Sequence, residues 1–140
     1  MSAEYDVVFR LRNEMNQTYE ICKTAIQNNP TEIQYIDIDE INNDELLNYL
    51  YMFALQKDGE CLCYIYKQTD ELCLAAVKQN PWALRFVENP TYDIYLAAVT
   101  NAGSILRYVK KQFQTDELCL AAVRNDGRAL QFVNKQTYEI

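Results

Sequence analysis

The 140-residue sequence has no histidine, only two serines (Ser2 and Ser104), and three glycines separated from one another by 24 residues or more. Without histidine, the usual general base at neutral pH and the commonest zinc ligand are both missing. With so few serines and such scattered glycines, neither a phosphate-cradling loop nor a dinucleotide fingerprint can be drawn. These absences exclude most hydrolase, metalloenzyme and nucleotide-enzyme chemistry. No catalytic residue, cofactor or metal is expected, and the chain is not expected to be an enzyme.

Other features are missing as well. No run of 18 apolar residues exists, no Pro/Gly/Ser-rich linker interrupts the chain, and the segment Met1 to Arg12 places its acids, Glu4 and Asp6, before its bases. That order is wrong for a secretory leader, so a cytoplasmic protein is expected, with no membrane contact. The net charge of −7 comes from residues 1–68, which hold 12 acids and 5 bases, whereas residues 69–140 hold 8 of each. An acidic chain repels phosphate backbones and anionic membranes, which argues against nucleic acid as a partner. The five cysteines are an odd number in a chain with no export signal, and are expected as free thiols.

What the chain does have is an internal repeat. The stretch Thr69-Asp-Glu-Leu-Cys-Leu-Ala-Ala-Val77, continuing to Leu84-Arg-Phe-Val87, returns at Thr91–Val99 with Leu106–Val109, and again at Thr115–Val123 with Leu130–Val133. Weaker copies start at Thr18 and Asn43, making five. One column aligns Pro30, Gly59, Pro81, Gly103 and Gly127, and so uses every glycine in the chain. Proline at that column fixes φ near −65°, which marks the first residue of a second helix. Asn29, Asp58, Asn80 and Asp126 stand just before it as N-caps, with Ala102 the exception. The first helix of each unit opens on Thr18, Asn43, Thr69, Thr91 or Thr115. Acids such as Asp70 and Glu71 follow, and suit the positive end of a helix dipole.

A column of Ala25, Ala54, Ala76, Ala98 and Ala122 has no exception and implies close helix approach. Leu72, Leu74, Ala75 and Val77 make the first helix apolar on nearly every side, as expected for a helix buried between layers. The second helix repeats Leu84/Phe86/Val87 as an apolar set that neighbouring copies would bury. The expected fold is therefore all-α: one domain, 1–140, forming a solenoid of five stacked two-helix repeats. An N-terminal capping helix is expected within 1–17, and the repeats span about 18–42, 43–68, 69–90, 91–114 and 115–136. Residues 137–140 would begin a truncated sixth repeat, since Gln136-Thr-Tyr-Glu-Ile140 matches Gln17-Thr-Tyr-Glu-Ile21.

The units from Thr69 and Thr115, with their Gln-Thr joints at Gln68, Gln114 and Gln136, resemble an uncharacterised short helical-hairpin repeat family of the form T-P-E-I-C-L-A-A-V-K-Q-N-G-x-A-L-x-Y-V. That family is found mainly in large DNA viruses and some bacteria. The chain departs from it in having Asp or Tyr after the threonine where the family often has proline. The resemblance implies a helical array, and a viral or host-interacting role in a host cytoplasm. It carries no activity.

Residues that change from copy to copy are free of the stacking requirement. Two columns do so: Thr31, Glu60, Trp82, Ser104 and Arg128, and three residues on, Gln34, Cys63, Arg85, Arg107 and Gln131. A spacing of three puts both on one ridge of the second helix. Trp82, Arg85, Arg107 and Arg128 then form a band of the residue types that dominate interface hot spots, with Lys110 and Lys111 as an extension. The expected function is a non-catalytic protein–protein interaction module using this ridge, with a protein partner. The plainer alternative is a solvated face on which Trp82 covers its neighbours. A self-assembling structural repeat protein, a homo-oligomer stacking through its C-terminal face, is the second function expected. Cys61 and Cys63 form a Cys-x-Cys, but a thiolate metal site would need further ligands nearby. Acid pairs such as Asp44-Glu45, Asp70-Glu71 and Asp116-Glu117 read as dipole compensation rather than acid/base groups.

Overall fold

The computed structural model of the chain describes residues 19–134. The covering helix expected within 1–17, the Thr18 cap and the start of a sixth repeat at 137–140 lie outside the described residues. Of the described residues 78% are helical and none is in a strand. Five α-helices carry the Ala column: α1 (Tyr19–Asn28), α3 (Asp44–Lys57), α4 (Asp70–Gln79), α5 (Tyr92–Asn101) and α6 (Asp116–Asn125). A one-turn helix, α2 (Ile38–Ile41), lies between the first two. The extra turn expected from the four added residues before Gly59 is present, since α3 has 14 residues where the other four have 10.

The element after each of the five is a six-residue 3-10 helix and not a second α-helix. These are η1 (Pro30–Tyr35), η2 (Gly59–Tyr64), η3 (Pro81–Phe86), η4 (Gly103–Tyr108) and η6 (Gly127–Phe132), with a short η5 (Lys111–Phe113) in a connection. Six residues close few hydrogen-bonded turns, and the tighter i→i+3 pattern is the usual form of so short a piece. It ends each time on a bond back three residues, as in Val87 N–H to Leu84 at 3.1 Å and Val109 N–H to Leu106 at 3.1 Å.

Both sets of caps act as the sequence implies. The hydroxyls of Thr69, Thr91 and Thr115 accept from the backbone N–H of Leu72, Ile94 and Leu118, and the Asn43 side chain accepts from Leu46. Before the 3-10 helices, Asn29, Asp58, Asn80 and Asp126 each accept from the N–H two residues on, while Ala102 leaves η4 uncapped by a side chain.

Consecutive long α-helices pack in chain order, and η1, η2, η3 and η4 also lie on α3, α4, α5 and α6 respectively. The Ala column is fully buried at all five positions, where the absence of larger side chains lets the helices meet. A second buried column went unread in the sequence because its residues differ: Glu32, Cys61, Ala83, Ile105 and Ala129, none more than 1% exposed.

Glycine in the Gly/Pro column lets two of the steps close tightly. A Cβ on Gly59 would overlap the carbonyl oxygen of Ala76, and one on Gly103 that of Ala122, so only glycine fits where the next α-helix comes this near. The approach is fastened by an amide. Gly59 N–H donates to Gln79 Oε1 at 2.7 Å while Gln79 Nε2 donates to the Lys57 carbonyl at 3.1 Å. Asn125 does the same for Gly103 (2.7 Å) and the Thr100 carbonyl (3.1 Å). Proline has no N–H to donate, although at the Pro30 step η1 still packs against η2 and α3. At the Pro81 step the equivalent amide, Asn101, turns back to its own helix and donates to the Ala97 carbonyl at 3.0 Å. There η3 and η4 are not closely packed against each other, whereas η2 with η3 and η4 with η6 are.

The Gln-Thr joints have a structural reason. Gln68 donates to the Phe86 carbonyl at 2.8 Å and accepts from Glu88 N–H at 3.0 Å, tying the end of η3 to the start of α4. Gln114 holds the Phe132 carbonyl and Asn134 N–H in the same way.

Candidate functional site

In a 3-10 helix residues three apart eclipse one another, so the two variable columns stand one above the other more strictly than on an α-helix. Gln34, Cys63, Arg85, Arg107 and Gln131 are all exposed, and Trp82 and Arg128 with them. This is the outward ridge that the sequence implies. Its members divide between two neighbouring cavities.

The larger cavity, about 350 Å³, lies where η3 and η4 part at the Pro81 step. It is lined by Pro81, Trp82, Leu84 and Arg85 of η3, Tyr95 of α5, Ile105 and Tyr108 of η4, and Pro90. The Trp82 and Tyr108 rings meet edge to face at 6.3 Å with 77° between their planes, a favoured aromatic geometry. Both remain open to solvent, Trp82 at 44% and Tyr108 at 59%. Arg85 is spoken for: its guanidinium pairs with Glu60 of η2 at 2.8 Å and lies 4.7 Å from the Phe86 ring centroid.

The smaller cavity, about 180 Å³, lies one step along, between η4 and η6, and is lined by Ser104, Arg107, Asp126, Arg128, Gln131 and Phe132. Arg128 folds back on Asp126, with Nε to Oδ1 and NH2 to Oδ2 both at 3.1 Å. That fork holds the Asp126 carboxyl below its ordinary range and the guanidinium above its own. Arg107 is placed differently. It lies over the Phe132 ring at 4.4 Å and near that of Tyr108 at 6.0 Å, and no carboxylate among the described residues pairs with it. Lys110 and Lys111 are exposed but line neither cavity.

The structure thus brings Trp82 and Arg85 together in one cavity and Arg107 and Arg128 in the next. Tyr108 was missed: it belongs to a column read as part of the buried face of the second helix. That column is aromatic in every unit (Tyr35, Tyr64, Phe86, Tyr108, Phe132), and none of the five is fully buried. A three-residue period turns it partly outward, and the uniform aromaticity was the available signal. Pro81, Pro90 and Glu60 were also missed as site residues, because their roles depend on the step between units.

The cysteines do not gather. Cys61 is buried and Cys63 exposed, Cys22 and Cys73 are buried, and Cys119 is half-buried. Burial pushes the Cys61 thiol up to about 12 and those of Cys22 and Cys73 up to about 11, which leaves all three protonated at neutral pH. Among the described residues no helix is long and apolar enough to cross a membrane.

A family model described as a domain of unknown function, DUF4116, matches residues 49–89 and again residues 91–137. No curated protein and no solved structure matches the chain. The first match runs from within α3 to the end of η3 and the second from α5 through η6, so Pro90 and the larger cavity fall at the junction of the two copies. Together the two matches cover more than half of the sequence, and the chain belongs to this DUF4116 family, a domain whose function is unknown.

Proposed function

We propose that the chain is a non-catalytic protein-interaction module, a solenoid of five stacked two-helix repeats that presents the ridge of its 3-10 helices to a protein partner inside the cell. The repeats take the bounds 18–42, 43–68, 69–90, 91–114 and 115–136. A viral or host-interacting role is implied by the family resemblance alone. The observation that carries the reading is the contrast between columns: the Ala column is invariant and fully buried, while the ridge columns differ in chemistry among the units and keep Gln34, Cys63, Trp82, Arg85, Arg107, Arg128 and Gln131 exposed. A solenoid buries a continuous core through nearest neighbours and leaves one side of every unit free to diverge for binding. Trp82, Arg85, Arg107 and Arg128 are the contact residues proposed, with Tyr108 added by the structure.

Proximity labelling with the chain in its native cell tests this reading, comparing wild type with Trp82→Ala, Arg107→Glu and a control, Lys78→Glu, at an exposed position of α4. A set of labelled proteins lost in the two ridge variants and kept in the control is expected. Labelling identical in all four chains would refute the ridge as the contact surface.

A second reading is self-assembly through the C-terminal face. Leu120 and Leu130, in the last described pair, are 51% and 53% exposed, whereas the equivalent Leu74 is half-buried and Leu84 is buried. Light scattering that finds only monomer at high concentration would end it.

A further inference from the structure

The two cavities together define a kind of ligand. This inference rests on the interaction reading above and makes the partner specific. The larger cavity is apolar, walled by Pro81, Trp82 and Tyr108, and at about 350 Å³ lies at the lower end of ligand-site sizes. It has room for one bulky side chain. An amphipathic helix would need several apolar anchors at i, i+3/i+4 and i+7 in one long groove. The neighbouring cavity is half as large and lined mainly by polar side chains, so a second apolar anchor has nowhere to go.

Charge fixes the second feature. Of the three ridge arginines, Arg85 is neutralised by Glu60 and Arg128 by Asp126. Arg107 alone has no carboxylate among the described residues, although the chain carries 20 acids. Its guanidinium lies over the Phe132 ring, with Ser104, Gln131 and the Asp126–Arg128 pair in the same cavity. A stacked guanidinium loses little freedom when a carboxylate binds its edge, which suits a planar, two-pronged contact.

The geometry points to an extended peptide segment as the ligand, with one aromatic or leucine side chain in the cavity beside the Trp82–Tyr108 pair and one Asp or Glu on Arg107. Adjacent units stand roughly 10 Å apart, and an extended chain advances about 3.3 Å per residue. The acid therefore follows or precedes the anchor by about three residues. The groove lies at the seam between two family copies, at the Pro81 step, which lacks the N–H that the amide clamps hold at Gly59 and Gly103.

The test is selection of a phage-displayed library of random 12-residue peptides on the full chain, then titration of the synthetic consensus peptide. Trp82 is the only tryptophan, so its own fluorescence reports occupancy of the groove. Enriched sequences are expected to carry an aromatic or leucine residue with Asp or Glu two to four positions away, and binding should shift Trp82 emission to the blue. Affinity should fall at least tenfold in Tyr108→Ala and in Arg107→Gln. Removing the peptide's acid should weaken binding to wild type by the same factor and leave binding to Arg107→Gln unchanged. Circular dichroism and melting curves confirm that each variant is folded; Arg107→Lys, which keeps the charge, should retain part of the affinity. No enrichment, a consensus without an acid, or affinity unchanged in Tyr108→Ala would each overturn the inference. Loss of labelled partners in the ridge variants with no peptide enriched would overturn the peptide ligand while leaving the interaction surface in place.

Discussion

Replacing Gly103 by alanine should destabilise the protein, whereas the same change at Gly127 should not. The two glycines occupy one column and both have φ below zero, so the conformational cost of a Cβ is the same. Their surroundings differ. A Cβ on Gly103 would overlap the Ala122 carbonyl oxygen and sit 3.1 Å from both the Ala122 carbonyl carbon and the Asp126 backbone nitrogen. All of these are backbone atoms of α6 and its cap, so no side chain can rotate away and the helix must retreat. Such overpacking costs about 1–3 kcal/mol. Retreat also stretches the Asn125 clamp, two hydrogen bonds of 2.7 and 3.1 Å, each contributing about 0.5–1.5 kcal/mol. Against this, alanine restricts the unfolded chain and returns about 0.4–1 kcal/mol. The net is a loss of about 2–4 kcal/mol, which for a chain of this size lowers Tm by roughly 6–15 °C. Around Gly127 no atom lies within 4 Å of the added carbon, so only the unfolded-state effect remains and Tm should rise by about 1–4 °C. Scanning calorimetry on both variants decides the matter. Equal shifts in the two, or a Gly103→Ala Tm within 2 °C of wild type, would show that close approach is not what glycine supplies in this column.

Ala102→Asn should raise stability by about 0.5–1 kcal/mol, read as the urea midpoint, because it places on η4 the cap that Asn80 already gives η3 at nearly the same backbone angles. The buried thiols of Cys22, Cys61 and Cys73 stay neutral in the fold, with pKa values raised to about 11–12, whereas unfolded thiols ionise near 9. Their contribution is complete below pH 9 and is lost as pH rises toward 11, so the urea midpoint should fall over that interval and fall less in Cys61→Ala; equal slopes would count against it. At pH 7.5 Cys63 should react with a disulfide reagent at least ~10-fold faster than any of these three, followed by mass spectrometry of the labelled peptides. Pro81→Gly should free Asn101 to clamp the new N–H, draw η3 toward η4 and shift Trp82 emission to the blue without ligand; unchanged emission would mean that proline does not hold the groove open.

Much of the fold was legible because it is stated several times. A column such as Ala25/Ala54/Ala76/Ala98/Ala122 is a replicated observation of one environment, and the threonine caps and the Gly/Pro position are likewise repeated. What replication cannot reveal is helix type. A Gly or Pro start, an outward residue at positions two and five and an apolar residue at four fit either an α-turn or a 3-10 turn for only six residues. The aromatic column therefore read as core when Tyr108 is 59% exposed. The buried column of Glu32, Cys61, Ala83, Ile105 and Ala129 was hidden for the opposite reason. Its residues share no chemistry, only a place in the packing. The ridge residues themselves were legible, but their pairings were not, because Arg85 with Glu60 and Trp82 with Tyr108 join residues 25 or 26 positions apart across a step.

The alternation of proline and glycine explains why the interesting surface lies where it does. Glycine steps close, at Gly59 inside the first family copy and at Gly103 inside the second, each sealed by an amide from the following helix. The proline step at Pro81 falls between the copies and cannot be sealed in that way, since proline has no N–H to offer. The 3-10 helices pack on one another at every described step but this one, which leaves a recess at the joint. The recess is flanked by Trp82, where the other units have Thr, Glu, Ser or Arg, and by Tyr108, the most exposed of its column at 59% against 37% for Tyr35, with Tyr64, Phe86 and Phe132 half-buried. A recess at the one described step that leaves its 3-10 helices apart, flanked by Trp82 and Tyr108, is the pattern expected if the stacking units serve as scaffold and the joint serves as site.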